Sequence, residues 1–341
     1  MNFLQKSKMG ILYPSLSLAG KAGTLRAFWS FPHHRAALAA VLARSPALIH
    51  AHDWDALPIA ARASTLLNIP FVYDSHEYAR QMHAERMLWH TTMCRAITNI
   101  ETKCIPQAAA VIAVSQGIAD LLAPDCALGV APVVLRNIPE YVEPSVTPRM
   151  NEDIILHYHG ILAAGRGIEI YVEALKLLPP THRLVLVGPE RQKGFVGSIK
   201  SVAETWGVAS RVKFLPAVPP QDLVGLAAQA DFGLCLLTKD SLHNQHALPN
   251  KIFEYIMAGL FCIVSDGPEM AALVADNKAG AVLRQNSAQE LATLILSTPR
   301  ATIEEIRERN FQSAKTLNWQ QEQKKLLGLY ATLCVANDDE P

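Results

Sequence analysis

The chain reads as an α/β protein built from two parallel sheets in tandem, and three features of the sequence predict this. Short apolar strands alternate with amphipathic helices from Ala47 onward. The alternation stops at a proline-studded stretch, Ile138 to Asn151, and restarts at Ile154. A chain of 341 residues is also long enough to bury two cores rather than one. Two sheets of this kind in succession place a cleft between them, and domain interfaces are where ligand sites concentrate.

Composition narrows the function. Half the residues are apolar, 31 Lys and Arg balance 31 Asp and Glu, and no basic stripe runs along any segment, so nucleic acid is excluded as a partner. No uncharged run approaches the roughly 18 residues that span a bilayer, and the Met9 to Ala19 segment is too short and lacks a cleavage pattern. Six cysteines without paired spacing (Cys94, Cys104, Cys126, Cys235, Cys262, Cys334) read as reduced core residues of a cytoplasmic protein.

In the first half, Met1 to Ser30 holds a short apolar run, Ile11-Leu12-Tyr13, and no motif. Phe31 to Arg44 is predicted helical, then Ala47 to His50 a strand ending in His50-Ala51-His52-Asp53. Pro58 to Leu67 is the next helix, and strand Phe71 to Tyr73 ends in Asp74-Ser75-His76-Glu77. In parallel sheets ligands sit outside the carboxyl ends of strands, where both polar clusters fall. An amphipathic helix from about Ala84 to Cys104 follows; its mixed Arg, His and Met face fits a solvated helix and also admits a place at a membrane surface. Strand Ala110 to Val114, helix Gln116 to Leu122 capped by Ser115, and strand Val133 to Leu135 complete this half.

The second half opens with strand Ile154 to His159 and the loop Gly160 to Gly167. It continues with helix Ile168 to Leu178, strand Leu184 to Val187, a helix near Val196 to Trp206, strand Lys213 to Leu215, helix Gln221 to Ala230 and strand Phe232 to Leu236. The stretch His246 to Asp266 is then the one on which a functional reading turns. It predicts a turn ending at Pro249, a helix from Asn250 or Lys251, a stop at Gly259, and a buried strand Phe261 to Val264.

Asn250, Lys251 and Glu254 share one stripe of that helix, while Ile252, Phe253, Ile256 and Met257 form its apolar faces. Unpaired N–H groups and the helix dipole favour a phosphate at the first turn, and Lys251 adds a full charge. Glu254, one turn further in, can accept from the vicinal hydroxyls of a ribose. The same residues also describe a capped amphipathic helix with a solvated polar face. In the loop Gly160 to Gly167, glycines such as Gly160 and Gly165 let backbone amides approach a phosphate, and Arg166 can grip it with a planar fork; glycines in a tight turn also serve geometry alone.

Two H-x-H pairs, His50 with His52 and His157 with His159, each lie on one strand face and raise the alternative of a metal-dependent hydrolase. That reading needs further ligands at neighbouring strand ends and leaves the glycine loop and the Asn250-Lys251 helix unexplained. A buried, hydrogen-bonded ring is the commoner fate of any one histidine.

Taken together, the stretches IHAHDWDALPIA, VYDSHE, IETKCIPQAAAVIAVSQGIADLL, LRNIPE, HYHGILAAGRGIEIYVEAL, RLVLVGPE, RVKFLPAVPPQDLVGLAAQADFGLCLL and ALPNKIFEYIMAGLFCIVSD resemble the family 4 (group 1) glycosyltransferases of GT-B fold. The resemblance runs from about Ala47 to Leu283. It implies two Rossmann-like domains facing across a cleft: an acceptor-side domain over 1–147, a nucleotide-sugar domain over 148–317, and a terminal helix and tail over 318–341 crossing back to the first. It implies a retaining transferase that moves a sugar from a UDP-, GDP- or ADP-sugar to a glycan, lipid-linked or small-molecule acceptor, as in polysaccharide biosynthesis. No cofactor or metal is called for, and the expected location is the cytoplasm or the inner face of the membrane.

Carried over by position, Glu254 matches the second carboxylate of the family's Glu-seven-residues-Glu signature and would hold the ribose. Arg166 matches the basic residue after the first glycine-rich turn, and with Gly160, Gly165, Asn250 and Lys251 would hold the diphosphate; backbone near Ala217-Val218-Pro219 would meet the base. His52, with His76 or Glu77, would face the transferred sugar. Three positions depart from the pattern: His246 stands where a Glu would contact sugar hydroxyls, Ile161 where many relatives have Arg, and few residues precede His50. The resemblance therefore also implies an incomplete N-terminal domain, completed by a partner chain or leaving a weak or inactive nucleotide-sugar-binding protein. A nucleotide-sugar epimerase shares the fold and would act without an acceptor.

Overall fold

A computed structural model describes residues 20–82, 87–143 and 153–335. The apolar run at Ile11, the start of the helix expected from Ala84, and the linker from Pro144 to Asn151 lie outside the described residues. The chain divides into two units: Met1–Arg136 with Asp240–Ala247 and Gln323–Pro341, and Asn137–Lys239 with Leu248–Glu322.

The first unit opens with helices α1 (Gly20–Ser30) and α2 (Pro32–Leu42), followed by β1 (Ile49–His52), α3 (Asp53–Leu67) and β2 (Phe71–Ser75). A helical stretch of Met87–Trp89 and a π-turn at His90–Cys94 runs into α4 (Arg95–Cys104), then β3 (Ala110–Ala113), α5 (Gln116–Asp125) and β4 (Val133–Val134). The strands form one parallel sheet in the order β1-β2-β3-β4, and its register sets His52 opposite Asp74. Helix α3 starts at Asp53 and runs through Pro58, five residues before the start expected from proline's preference for a first turn. Burial of Leu57, Ala60, Ala61 and Ala63 holds the interior proline in the helix, so packing overrides the local signal. Ser115 caps α5 as expected, accepting from the Ile118 amide at 3.3 Å.

Phe28, Leu57, Phe71, Ile100 and Leu122 lie buried in this unit's core, each worth roughly 1.5–3 kcal/mol on the scale for an apolar side chain. An ion pair is buried beside them: Arg80 Nε meets Glu101 Oε2 at 2.7 Å and its NH1 meets Asp125 at 3.1 Å.

In the second unit β5 (Ile154–His159), α6 (Ile168–Ala174), β6 (His182–Val187), α7 (Phe195–Thr205), β7 (Val212–Leu215), α8 (Leu223–Ala227) and β8 (Phe232–Cys235) alternate as the sequence predicts. Then come α9 (Asn250–Met257), β9 (Phe261–Ser265), α10 (Pro268–Asn277), β10 (Gly280–Leu283), α11 (Ala288–Ser297) and α12 (Arg300–Ala314). The last helix, α13 (Trp319–Val335), begins in this unit and continues as part of the first from Gln323.

The six strands are parallel in the order β10-β9-β8-β5-β6-β7. From β5 the chain steps outward to β6 and β7, then returns to the other side for β8, β9 and β10. The order therefore reverses between β5 and β8, and ligands of open α/β sheets bind at that reversal, beyond the carboxyl ends of the strands. Asp231, fully buried, ties the two strands at their other end, accepting from the Ile155 amide at 2.8 Å and from Arg300 at 2.9 Å.

Helix α9 buries Ile252, Phe253, Ile256 and Met257 and stops where expected. Gly259 takes φ +73°, its amide bonds the Ile256 carbonyl at 3.0 Å, and the Leu260 amide reaches back to the Tyr255 carbonyl at 2.9 Å. Five of the six cysteines are buried and all are free. No helix among the described residues is long and apolar enough to cross a membrane.

Candidate functional site

The turn after β5 is shaped by backbone contacts. The Gly160 amide donates to the Val187 carbonyl at 2.9 Å, and the Leu162 amide to the Pro189 carbonyl at 2.9 Å, which extends the β5 to β6 ladder into the loop. Gly188 packs so closely that a Cβ there would lie 1.9 Å from the Gly160 carbonyl oxygen. The loop then turns through Gly165 and Gly167, both at positive φ, into α6.

Lys251, in the first turn of α9, folds over this loop. Its Nζ sits 3.9 Å from the centroid of the Tyr158 ring, and a Cβ on Gly160 would lie 3.1 Å from it. Burial lowers the Lys251 pKa to about 8, and the neighbouring Arg166 guanidinium pushes the same way, while Cys235 and Glu254 oppose. Arg166 therefore lies close enough for the two cations to feel each other. Neither has an ion-pair partner among the described residues. Two cations with no ion-pair partner among the described residues, beside the amide end of a helix, are an arrangement that could hold an anion.

Glu254 is held from behind. Its Oε2 meets His159 Nε2 at 2.5 Å, and His159 Nδ1 meets His157 Nε2 at 3.0 Å. Burial is the larger cause, and the adjacent His159 and Lys251 charges add to it, in lowering the His157 pKa to about 3, so this ring stays neutral. With His159 Nε2–H donating to the carboxylate, its Nδ1 accepts from His157, and the two rings fix the direction of Glu254. Glu254 and Asn250 also line a cavity of ≈ 530 Å³ with Pro220, Gln221, Val224 and Trp319, a size that suits a small organic ligand.

Thus Gly160, Arg166, Lys251 and Glu254 come together at the sheet reversal, while Asn250 is exposed at the start of α9 beside Glu254. The other residues singled out from the sequence belong to the first unit. His52, at the carboxyl end of β1, lies 2.9 Å from His76, and both contact Asp74. The His52 pKa is lowered, by burial first and by His50 next. Glu77 joins that segment through its carbonyl, which accepts from Ser75 Oγ at 2.8 Å. His246 ends a short helix, Leu242–His246, where the sequence suggested only a turn; Ser241 caps it by accepting from the Asn244 amide. The His246 carbonyl accepts from Ser115 at 2.9 Å, and its buried Nδ1 has no partner among the described residues.

Sequence reasoning missed three groups: His159 behind Glu254, Asp74 between the histidines, and Tyr330, which bonds His50 Nδ1. The spacing of His157 and His159 marked a shared strand face. Nothing local pointed to a carboxylate 95 residues away.

Comparison with known proteins bears on this arrangement. Residues 153–298 match the family model described as glycosyl transferases group 1, and residues 11–139 match a glycosyl transferase 4-like domain. The second match starts well before Ala47, where the resemblance in sequence seemed to begin. No curated protein matches the chain significantly. Among solved structures it is similar to HepE from Anabaena in complex with UDP, at 21% identity over 86% of this chain and 82% of that one, with a TM-score of 0.70. HepE in complex with UDP-glucose aligns at 20% identity over 85% and 82%, also with a TM-score of 0.70. Sucrose-phosphate synthase from Thermosynechococcus elongatus aligns at 17% identity over 91% and 79%, with a TM-score of 0.75. At such identities these structures establish the fold, GT-B, and the two family matches establish the rest: the chain belongs to the group 1 (family 4) glycosyltransferases.

Proposed function

We propose that this glycosyltransferase uses a nucleotide-diphosphate sugar as donor, of the UDP class, and transfers the sugar with retention of configuration to a glycan, lipid-linked or small-molecule acceptor. The observation that carries the proposal is the convergence of Arg166 and Lys251, neither in an ion pair among the described residues, on the amino end of α9 beside Glu254. A diphosphate supplies the missing negative charge, and the vicinal hydroxyls of its ribose suit the carboxylate one helical turn away. The cavity next to Glu254 is lined by Pro220 and Gln221, which directly follow the segment Ala217 to Pro219 expected to meet the base. The presence of UDP and UDP-glucose on HepE agrees with this choice of donor.

In this reading 1–147 forms the acceptor side and 148–317 the donor side. His52, His76, Glu77 and His246 are assigned to the transferred sugar by resemblance. As the glycosidic bond to the diphosphate breaks, negative charge grows on the leaving oxygen, and Arg166, Lys251 and the α9 dipole stabilise it from fixed positions. Lipid-linked acceptors would place the protein at the inner face of the membrane.

The test is a thermal-shift panel of UDP-, GDP- and ADP-sugars followed by a transfer assay. Arg166→Ala should lower turnover on the order of 10²-fold, the scale for removing one preorganised donor. Undiminished transfer by that variant would remove the assignment. Sugar release that needs no acceptor would indicate epimerisation or hydrolysis in place of transfer.

A further inference from the structure

In the second unit, one face of β5, β6 and β7 is packed and the other is largely open. On β6, Leu184 and Leu186 are buried in the core with residues of α6 and α7, whereas Arg183 is exposed and Val185 half-buried. The open face holds a cavity of ≈ 460 Å³ lined by His157, Arg183, Val185, Arg211, Lys213 and, from the short helix α8, Leu226. It shares no lining residue with the cavity beside Glu254. The parallel register builds its floor. His157 pairs with Val185 and Val185 with Lys213, so one row across three strands sets His157 and Lys213 about 10 Å apart at the backbone.

The two ends of this row ask for different things. His157 is 1% exposed, and the neutral ring donates from Nε2 to His159 Nδ1 at 3.0 Å. Its Nδ1 therefore carries a lone pair, which has no hydrogen-bond partner among the described residues. Buried acceptors are normally matched by a donor, and a hydroxyl entering the cavity supplies one.

The other end is cationic. Three basic residues line the cavity and no carboxylate does. Arg183 Nε pairs with Asp153 at 2.5 Å, at the edge of the strand. Arg211 is anchored by donating to the Leu178 and Pro179 carbonyls at 3.0 and 2.9 Å, which fixes the guanidinium without neutralising it. Burial and the nearby Arg183 charge both lower the Arg211 pKa, so these two cations repel each other across the site. Lys213 is exposed, with no hydrogen bond or ion pair among the described residues. A water meets the lone pair of His157 but leaves this charge unanswered. A phosphate offers three acceptor oxygens to several cations at once, and a hydroxylated carbon chain on it reaches back over Val185 to His157. The volume suits a molecule of that size.

We propose that this cavity binds a small phosphorylated polyol, its phosphate against Lys213, Arg183 and Arg211 and a hydroxyl donating to His157 Nδ1. The site is separate from the donor site and does not depend on the reading given to that one. Ribose 5-phosphate is the probe, titrated calorimetrically into the full chain, with inorganic phosphate and ribose as controls that each carry one end. Ribose 5-phosphate should saturate, and bind at least about 10-fold more tightly than either control. Lys213→Ala should weaken it by at least about 10-fold, as expected for one charge-assisted hydrogen bond, and leave UDP binding unchanged. His157→Phe should bring ribose 5-phosphate down to the affinity of inorganic phosphate, and Lys251→Met should leave it as in the wild type. Lys213 is exposed, so its variant is read without concern for folding. Absence of saturable binding, or inorganic phosphate binding as tightly as ribose 5-phosphate, overturns the site. So does binding that Lys251→Met abolishes and Lys213→Ala spares, which places the probe in the donor site. UDP titration of the same protein reports on the donor reading separately.

Discussion

Replacing Lys251 with Met removes one positive charge from the proposed diphosphate site and keeps the length of the stem. Charge-assisted hydrogen bonds contribute about 1.5–3 kcal/mol each, so UDP binding near pH 7 should weaken by about 10- to 150-fold. The pKa supplies a sharper test than the magnitude. Burial holds the free Lys251 ammonium at about 8, below the ordinary lysine value. Only the protonated form attracts the diphosphate, and its fraction falls from about nine-tenths at pH 7 to about one-tenth at pH 9. Wild-type affinity should therefore drop about tenfold across that window, with one proton taken up on binding at the alkaline end. The terminal phosphate of UDP titrates near pH 6 and does not contribute there. Isothermal titration at several pH values, in buffers of different ionisation enthalpy, measures both the affinity and the proton uptake. Lys251→Met should bind weakly and with no dependence on pH above 7. An equal alkaline decline in the variant, or a loss under threefold at pH 7, would refute the placement of Lys251 against the diphosphate.

Other consequences follow from single contacts. His157 is held neutral down to about pH 3, while an unfolded histidine takes up a proton near 6.5. The native state therefore loses stability as pH falls from about 6.5 towards 3, and His157→Phe should flatten that loss in urea melts recorded across the range. His159→Leu deprives the Glu254 carboxylate of its imidazole donor and should cost about 1.5–3 kcal/mol in chemical denaturation, with a rise in the KM for donor larger than any change in kcat. Gly188→Ala places a Cβ 1.9 Å from the Gly160 carbonyl at φ +141°, so a loss of about 3 kcal/mol or more is expected from crowding and backbone strain. Arg80→Met leaves Glu101 buried without its partner and should destabilise the first unit by about 3–5 kcal/mol, and Arg80→Met with Glu101→Leu should recover most of it.

Much of the fold was legible because it is written in local periodicity. The strand Ile154–His159 and the helix Asn250–Met257 with its Gly259 stop appear where their patterns put them. Helix boundaries that packing sets were not legible, as with α3 running through Pro58, and the capped turn of helix at Leu242–His246 is too short to show a period. Helix α1 carries buried Phe28 but no sequence motif, and only its place in the core explains it.

The site divides along the same line. Sequence alone determined which residues could meet a phosphate, because glycines in a strand-to-helix turn, a cation at a helix start and a carboxylate one turn on act through neighbours in the chain. Tertiary structure decided how those groups are charged and held. Lys251 is lowered to about 8 because the sheet reversal buries it beside Arg166, and Glu254 is aimed by His159 because β5 and α9 meet in space. Asp74 gained His50 and His52 as neighbours from the register of β1 on β2, a pairing between strands that no single stretch of sequence records.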